Sequence, residues 1–457
     1  MKNVISSIII LAFAMSAGSC HIYQSYKRPE MSVDNGLFRQ GEASADTVSI
    51  ATVSWKEFFA DEKLKTLIQT GLENNTDLQI AHLRINEAEA VLMAANLSFL
   101  PSVFFNPDAS ITHSKASGTE KSYTLAGSAS WEIDLFGKLR NARKGSEAAL
   151  YQSKAYSQAV RAQLIATIAN SYYTLLMLDE QLSISQRTSE NWGSYLHTLN
   201  TLKKNGTVNQ AEISQAEASK LQTDASVLSI RQQIQSVENS LSVLLGNSPG
   251  EIYRNTLSEQ KFPVEMSTGV PLDLLRNRPD IIEAEWALAQ AYYTTNEARA
   301  AFYPSITLSG SAGWTDGSGL AIANPGGWLF SAVGSLLQPL FNKGQNIAQL
   351  KISKAQQEEA LLTFKQSILN AGAEVNDALT QWQTAQKRFE LDCQQIKSLQ
   401  TTEKSTKLLM EHGSTNYLEV LIAQRSLLQA ELTRAEDKFN EIQGIINLYH
   451  ALGGGNS

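Results

Sequence analysis

The sequence predicts a mainly α-helical fold with a small β part, made twice over from one unit: a helix, a strand hairpin and a long helical hairpin. Three observations carry this. Short motifs recur at nearly constant spacing: FLPSV at 99–103 returns as FYPSI at 302–306 (302 − 99 = 203), and DLFGK at 134–138 is answered by PLFNK at 339–343 (339 − 134 = 205). The pair Gly206 and Asn209 recurs as Gly413 and Asn416 (413 − 206 = 207). An offset that drifts so little marks repetition of a whole fold unit. The other two observations are windows of strict apolar–polar alternation, one per half, and helical patterns that run unbroken for more than sixty residues.

The chain opens MKNVISSIIILAFAMSAGSC, a Lys followed by an apolar run and small residues, the pattern of a secretory signal peptide rather than a membrane span. SAGSC resembles a bacterial lipobox, which would make Cys20 the acylated first residue of the mature chain; ordinary cleavage would leave it an incidental thiol. An acyl chain gains roughly 0.8 kcal/mol per buried methylene, so an acylated Cys20 is an anchor. Loss of residues 1–19 removes Lys2 and takes the net charge from −7 to −8. Such a chain lacks the basic face that nucleic acid requires. The second cysteine, Cys393, sits in a helical pattern and reads as a packed thiol.

In each half a helical pattern comes first, at about 72–98 and again from PDIIEAEW, ending at Pro101 and Pro304. Strands follow. In SITLSGSAGWT, Ile306, Leu308, Ala312 and Trp314 alternate with Ser and Thr. In YTLAGSASWEIDL, Tyr123, Leu125, Ala129, Trp131 and Ile133 alternate with Thr124, Ser128, Ser130 and Glu132. VFFNPDASITH carries Pro107, which suggests a bulge or an edge, and WLFSAVGSLLQPLF is apolar on much of both faces. Turn-rich linkers join the strands, so each half contributes one hairpin. Gly137 and Pro339 mark the return to helix.

The long helices run from Lys138 to Lys203 and from Lys343 to about Glu411, with apolar steps of three and four, the pattern of a coiled-coil seam. At 1.5 Å per residue each is roughly 100 Å long. The Gly206–Asn209 and Gly413–Asn416 turns reverse the chain, and shorter helices return. The chain therefore divides into a signal peptide (1–19), an extended linker (20–54), a first repeat (55–250; strand hairpin about 102–135, tip about 204–210) and an inter-repeat linker (251–272). A second repeat (273–453; hairpin about 305–341, tip about 411–417) and a short tail (454–457) complete it.

No apolar run after the signal peptide reaches the roughly 18 residues of a membrane helix, so any membrane insertion uses strands or the lipid. Four strands cannot close a barrel, since the known range starts at about eight; a barrel here must be shared between chains. Trp131, Trp314 and Trp328 lie near strand ends, as interfacial aromatics would. A soluble sandwich would also alternate, and a spectrin-like rod would explain the helices but not the hairpins. A coiled-coil surface stalk would carry its barrel segment at one end of the chain rather than inside each repeat. No phosphate loop, HExxH or GxSxG is present, and the histidines at 21, 82, 113, 197, 412 and 450 lack ligand spacing. No enzyme activity, metal site or cofactor is therefore expected, and His412 reads as a helix C-terminal cap.

The motifs WKEFFADEKLKTLI, NNTDLQIA, FLPSV, WEIDLFGKLR, LLRNRPDIIEAE, ARAAFYPSITLSG and NYLEVLIAQRSLLQAE, in that order, resemble the TolC-like outer-membrane efflux proteins. The lipoprotein branch similar to OprM and NodT is the nearer likeness, and it spans essentially the whole mature chain. The resemblance implies a homotrimer with a twelve-stranded outer-membrane barrel, lipid-anchored and continued by a periplasmic helical tunnel. It implies a periplasmic adaptor and an inner-membrane RND-type pump as partners, and export of small molecules; an ABC transporter and protein secretion is the alternative. The two turns would then form the periplasmic end, where the channel is gated and the adaptor docks. Tyr417, Leu418 and Arg425 match the family's gate pattern. Ile422 stands where the family commonly has Asp, so the constriction is expected to be apolar, closing by dewetting. Glu419 and Glu212, equivalent at 419 − 212 = 207, could supply the lost charge; a solvated helix charge is the alternative for each.

Overall fold

A computed structural model of the protein describes residues 25–29, 53–116, 118–204, 206, 208–262, 278–316, 327–412 and 417–455. Cys20, Gly413 and Asn416 lie outside these residues. The first repeat contains α1 (Trp55–Phe58), α2 (Glu62–Asn74), α3 (Thr76–Leu97), β1 (Ser102–Ser114), β2 (Gly118–Ile133), α4 (Lys138–Lys204) and α5 (Gln210–Leu244). A 3-10 turn at Leu257–Glu259 follows. The second repeat contains α6 (Pro279–Ala300), β3 (Ser305–Asp316), β4 (Gly327–Leu337), α7 (Gln345–Glu411) and α8 (Tyr417–Ala451).

The duplication holds element by element. α3 and α6 both have 22 residues at an offset of 279 − 76 = 203. α4 and α7 both have 67 residues at 345 − 138 = 207, and α5 and α8 both have 35 at 417 − 210 = 207. The 205 register read across DLFGK and PLFNK is not the structural one. Gly137 and Gly344 (344 − 137 = 207) both take the left-handed conformation, φ 75° and 77°, immediately before the long helix. Gly344 is thus the true counterpart of Gly137, and the extra residues of the second repeat lie between strand and helix.

One other boundary differs. The helical pattern read as one segment at 72–98 is two helices broken at Asn75. Asn75 N–H caps the end of α2 on Gly71 O at 2.9 Å, and its side-chain oxygen accepts from Leu78 N at 3.0 Å to start α3. Its amide also donates to Leu244 O at 2.9 Å, fixing the break against the end of α5.

The chain divides into two compact units. One comprises Met1–Met31, Leu83–Ala155 and Ile282–Gln366 and contains the sheet. The strands run antiparallel in the order β1-β2-β3-β4, so the two hairpins merge through β2 and β3 into one sheet. Pro107 lies on the edge strand β1, in continuous register from Ser102↔Ser130 to Ser114↔Gly118; it marks an edge and no bulge.

The other unit comprises Ser32–His82, Tyr156–Ile281 and Ser367–Ser457. A core there gathers Phe58, Phe59, Leu64 and Ile68 with Tyr172, Leu176, Ile446 and Tyr449. Phe58 stacks on Tyr449 at 4.0 Å between ring centroids, so the aromatic residues of the WKEFF motif are core, bridging the start of the first repeat to the end of the second. Gly444 of α8 is required for close approach: a Cβ there would lie 2.7 Å from Trp382 N of α7.

Candidate functional site

The sheet sorts its side chains by register. Leu125 is level with Trp314, Trp131 with Leu308 and Ile133 with Ile306, while Ser128 meets Ser311, Ser130 meets Ser309 and Glu132 meets Thr307. Across β2 and β3 apolar residues therefore fall on one face and hydroxyl-bearing residues on the other, while the edge strands also place Phe104, Leu329, Val333 and Leu337 on the hydroxyl face. The apolar face extends to both edges, through Val103 and Phe105 on β1 and Trp328, Phe330 and Leu336 on β4. Phe330 is 76% and Val103 74% exposed. A broad exposed apolar face with a long open edge on either side is not a stable surface in water. In hydrocarbon every backbone group must be paired, so such a sheet is completed only by closing with other strands into a barrel.

The tryptophans bracket this face. Trp131 is near one end, its Nε1 donating to Phe99 O at 2.9 Å. Trp314 and Trp328 pair at 5.6 Å near the other. Trp131 is level with Leu308, and 314 − 308 = 6 residues separate it from Trp314 along β3. That is about 20 Å of strand, comparable to the roughly 25 Å apolar band of an outer-membrane barrel. Pro101 and Pro304 stand immediately before β1 and β3, and Pro339 follows β4. Asp134 accepts from Leu139 N at 3.3 Å and Arg140 N at 2.9 Å, so together with Gly137 it starts α4.

In the helical unit the turn between α4 and α5 is specified locally. Gly206 has φ 74°, a conformation that favours glycine, and its surroundings are open. Asn209 and Glu212 form a capping box: Asn209 Oδ1 accepts from Glu212 N at 3.1 Å, and Glu212 Oε2 accepts from Asn209 N at 2.9 Å. Glu212 thus has a structural role at the helix start. Replacing Asn209 by alanine should cost about 1 kcal/mol, read as faster local proteolysis at 204–212 with the remaining helix unchanged. His412 caps α7, its Nδ1 donating to Leu408 O at 2.8 Å.

The start of α8 splits the family-pattern residues between two surroundings. Tyr417 is buried in a cluster with Trp192, Tyr195, Leu199, Ile213, Val420 and Leu421. It stacks on Tyr195 at 5.9 Å, and burial, then the charge of Glu212, pushes its phenol up to about 12. Leu418, Glu419, Ile422 and Arg425 lie instead on the exposed side of the same turns. Leu418 and Ile422 are each 55% exposed. Spacings of four and three place Leu418, Ile422 and Arg425 in one stripe. The equivalent positions of α5, 207 earlier, are Ala211, Gln215 and Ala218, so only the second repeat presents large apolar side chains there. Ile422 and Arg425 also border an open groove of about 660 Å³ lined by Trp192, Ser219, Thr223 and Gln429. Cys393 is a half-buried free thiol. Among the described residues no cluster of three or more His, Cys, Asp or Glu could hold a metal, and no helix is long and apolar enough to cross a membrane.

An open-edged sheet with one lipid-compatible face, in a chain that also builds a duplicated pair of very long helical hairpins, defines a barrel-forming membrane channel subunit. The chain belongs to the outer membrane efflux protein family, whose pattern matches residues 67–247 and 270–454, once in each repeat. It is 30% identical over 449 residues to the cation efflux system protein CusC of Escherichia coli, covering 97% of this chain and 98% of that one. It is 29% identical over 474 residues to the toluene efflux pump outer membrane protein TtgC of Pseudomonas putida, covering 100% and 96%. The solved MtrE outer membrane channel of Neisseria gonorrhoeae, in its open state, superposes with a TM-score of 0.87 at 27% identity, over 96% of this chain and 99% of that one. The protein is an outer-membrane channel of a tripartite efflux system that extends into the periplasm. It forms a homotrimer and works with a periplasmic adaptor and an inner-membrane pump. Three chains of four strands make the barrel, and the helices make the tunnel.

Proposed function

We propose that the protein is a passive duct for small molecules, catalysing no reaction of its own, and that the stripe of Leu418, Ile422 and Arg425 lines its periplasmic constriction. The observation that carries this is the exposure of two large apolar side chains at the start of α8, where the first repeat has Ala211 and Gln215. In a trimer the stripe is repeated three times around the axis. A ring of Ile422 side chains closes by excluding water, and Arg425 one turn further on supplies the nearest fixed charge on the stripe. The Gly206–Asn209 and Gly413–Asn416 turns are the surfaces offered to the adaptor. Cys20 carries the lipid anchor, and the three tryptophans seat the barrel at its interfaces. CusC is described by cation efflux and TtgC by toluene efflux; the generic Ser- and Thr-rich polar face of the sheet here fits a passage that leaves selection to the pump.

Ile422→Asp tests the gate. It should raise single-channel conductance in planar bilayers and shift the potassium-over-chloride preference by at least about twofold, because three carboxylates then concentrate cations at the narrowest point. Traces identical to those of the unmodified protein would remove Ile422 from the constriction.

A further inference from the structure

A carboxylate buried between helices needs cations or hydrogen-bond donors on its oxygens. Two aspartates on α7 and α8 depart from this together. Asp392 is 8% and Asp437 1% exposed, and the two carboxyl groups lie near enough that each bears on the other's charge. Asp437 accepts from Arg388 Nε at 2.9 Å, and that arginine is itself more than half exposed. Asp392 Oδ2 is buried, and no donor among the described residues reaches it.

The charged groups facing the pair are few. From α7 comes Arg388, one turn before Asp392, and from α8 Arg434, which also reaches Glu180 of α4 at 3.4 Å; Lys438, next to Asp437 in sequence, is engaged instead by Glu441 at 3.0 Å and lies over Phe389. A single guanidinium in direct contact thus serves two buried carboxyl groups. Two carboxylates this close do not both ionise without a large cost, whereas one proton held between them removes that repulsion.

We propose that Asp392 and Asp437 share one proton across the α7–α8 interface, forming a pH-sensitive latch that packs the second helical hairpin while the proton is bound and loosens it when the proton leaves. The first repeat provides an internal contrast. At the equivalent positions, 392 − 207 = 185 and 437 − 207 = 230, it has Ser185 and Ile230, both buried and neither ionisable. The latch therefore belongs to one hairpin only. Burial first, then the neighbouring Asp437 carboxylate, raise the Asp392 carboxyl above the usual carboxylate range, against the pull of Arg388 and Arg434. Since the folded value exceeds the unfolded one, this stretch is most stable at low pH and loses stability as pH rises through the folded value.

Amide hydrogen exchange on the detergent-solubilised mature trimer, corrected for the intrinsic pH dependence of exchange, tests this from about pH 4, the unfolded carboxylate value, up to about pH 8. Protection in peptides covering 385–395 and 430–440 should fall with rising pH, by up to about tenfold per pH unit within the titration window, while 180–190 and 225–235 should not follow. Asp392→Asn supplies a permanent donor to Asp437 and should hold protection high and flat. Asp392→Ser, which copies the first repeat, should also be flat and serves if the asparagine variant does not assemble. Unmodified protein whose protection is independent of pH, or variants that keep its pH dependence, would overturn the proposal.

Discussion

Replacing Asp61 by alanine should cost the protein roughly 3–5 kcal/mol of stability, because it removes the acceptor at the centre of a buried hydrogen-bond hub and each stranded polar group costs about 1–3 kcal/mol. Asp61 Oδ2 accepts from Tyr172 Oη at 2.8 Å and Gln260 Nε2 at 2.9 Å; Oδ1 accepts from Asn255 Nδ2 at 3.0 Å and Lys63 N at 2.9 Å. One carboxylate thereby starts α2, fixes a core tyrosine of α4 and straps the segment after the first repeat onto both. Alanine leaves a hydroxyl and two amides without their partner at once. Asp61→Asn keeps the shape and should cost less, about 1–3 kcal/mol.

The two variants should also differ from the unmodified protein in acid. Burial alone would raise the Asp61 carboxyl, but the hydrogen bonds from Tyr172, Gln260, Asn255 and Lys63 N–H outweigh it and hold the group below the usual carboxylate range. Its folded value lies below its unfolded one, so its contribution is fully present above the unfolded value, about 3.9, and is lost as pH falls through the folded value. Denaturation followed by helical circular dichroism should show that acid-sensitive increment in the unmodified protein and not in Asp61→Asn. Equal midpoints for all three proteins at neutral pH would contradict the hub's importance.

Replacing Arg278 by alanine should be nearly as severe, about 3 kcal/mol. Arg278 is buried in the NRPD segment at the start of α6, where Pro279 occupies the first helical position. Its guanidinium donates to Ala451 O at 2.7 Å, to both oxygens of Asp280 at 3.0 and 2.7 Å and to Glu374 of α7 at 2.7 Å. The beginning of the second repeat is thus clamped to the end of α8 by a single side chain. Both carboxylates remain partly solvated, so the loss falls mainly on the orphaned carbonyl and on packing. Lysine should recover only part of the difference, because an ammonium cannot reproduce the planar fork. An Arg278→Lys variant as stable as the unmodified protein would show that charge alone suffices there.

Much of the fold is legible in the sequence because its punctuation is chemical. Pro101 and Pro304 end helices, Gly206 turns the chain, and alternating residues in β2 and β3 assign the faces of the sheet. The break at Asn75 escapes periodicity because the helical pattern continues on both sides; the capping residues in NNTD are its only signal. The register at Gly344 is missed because PLFNK resembles DLFGK more closely in letters than in backbone conformation, and positive φ is what aligns Gly344 with Gly137. At the tip, sequence matching groups Tyr417 with Leu418 and Arg425, yet one faces a core and the others do not, since neighbours on a helix point in different directions. The pairing of Asp392 with Asp437 has no local signature at all. On one helix an aspartate reads as a solvated charge, and only the partner helix reveals its burial.

The central claim is that three copies share one barrel. The native mass of the detergent-extracted mature protein, with palmitate labelling of Cys20 as a check on the anchor, tests it most directly. A mass of three chains that requires detergent for solubility is the expected result. A monomer that stays soluble without detergent would contradict the shared barrel and leave the exposed apolar face of the sheet without a lipid to meet.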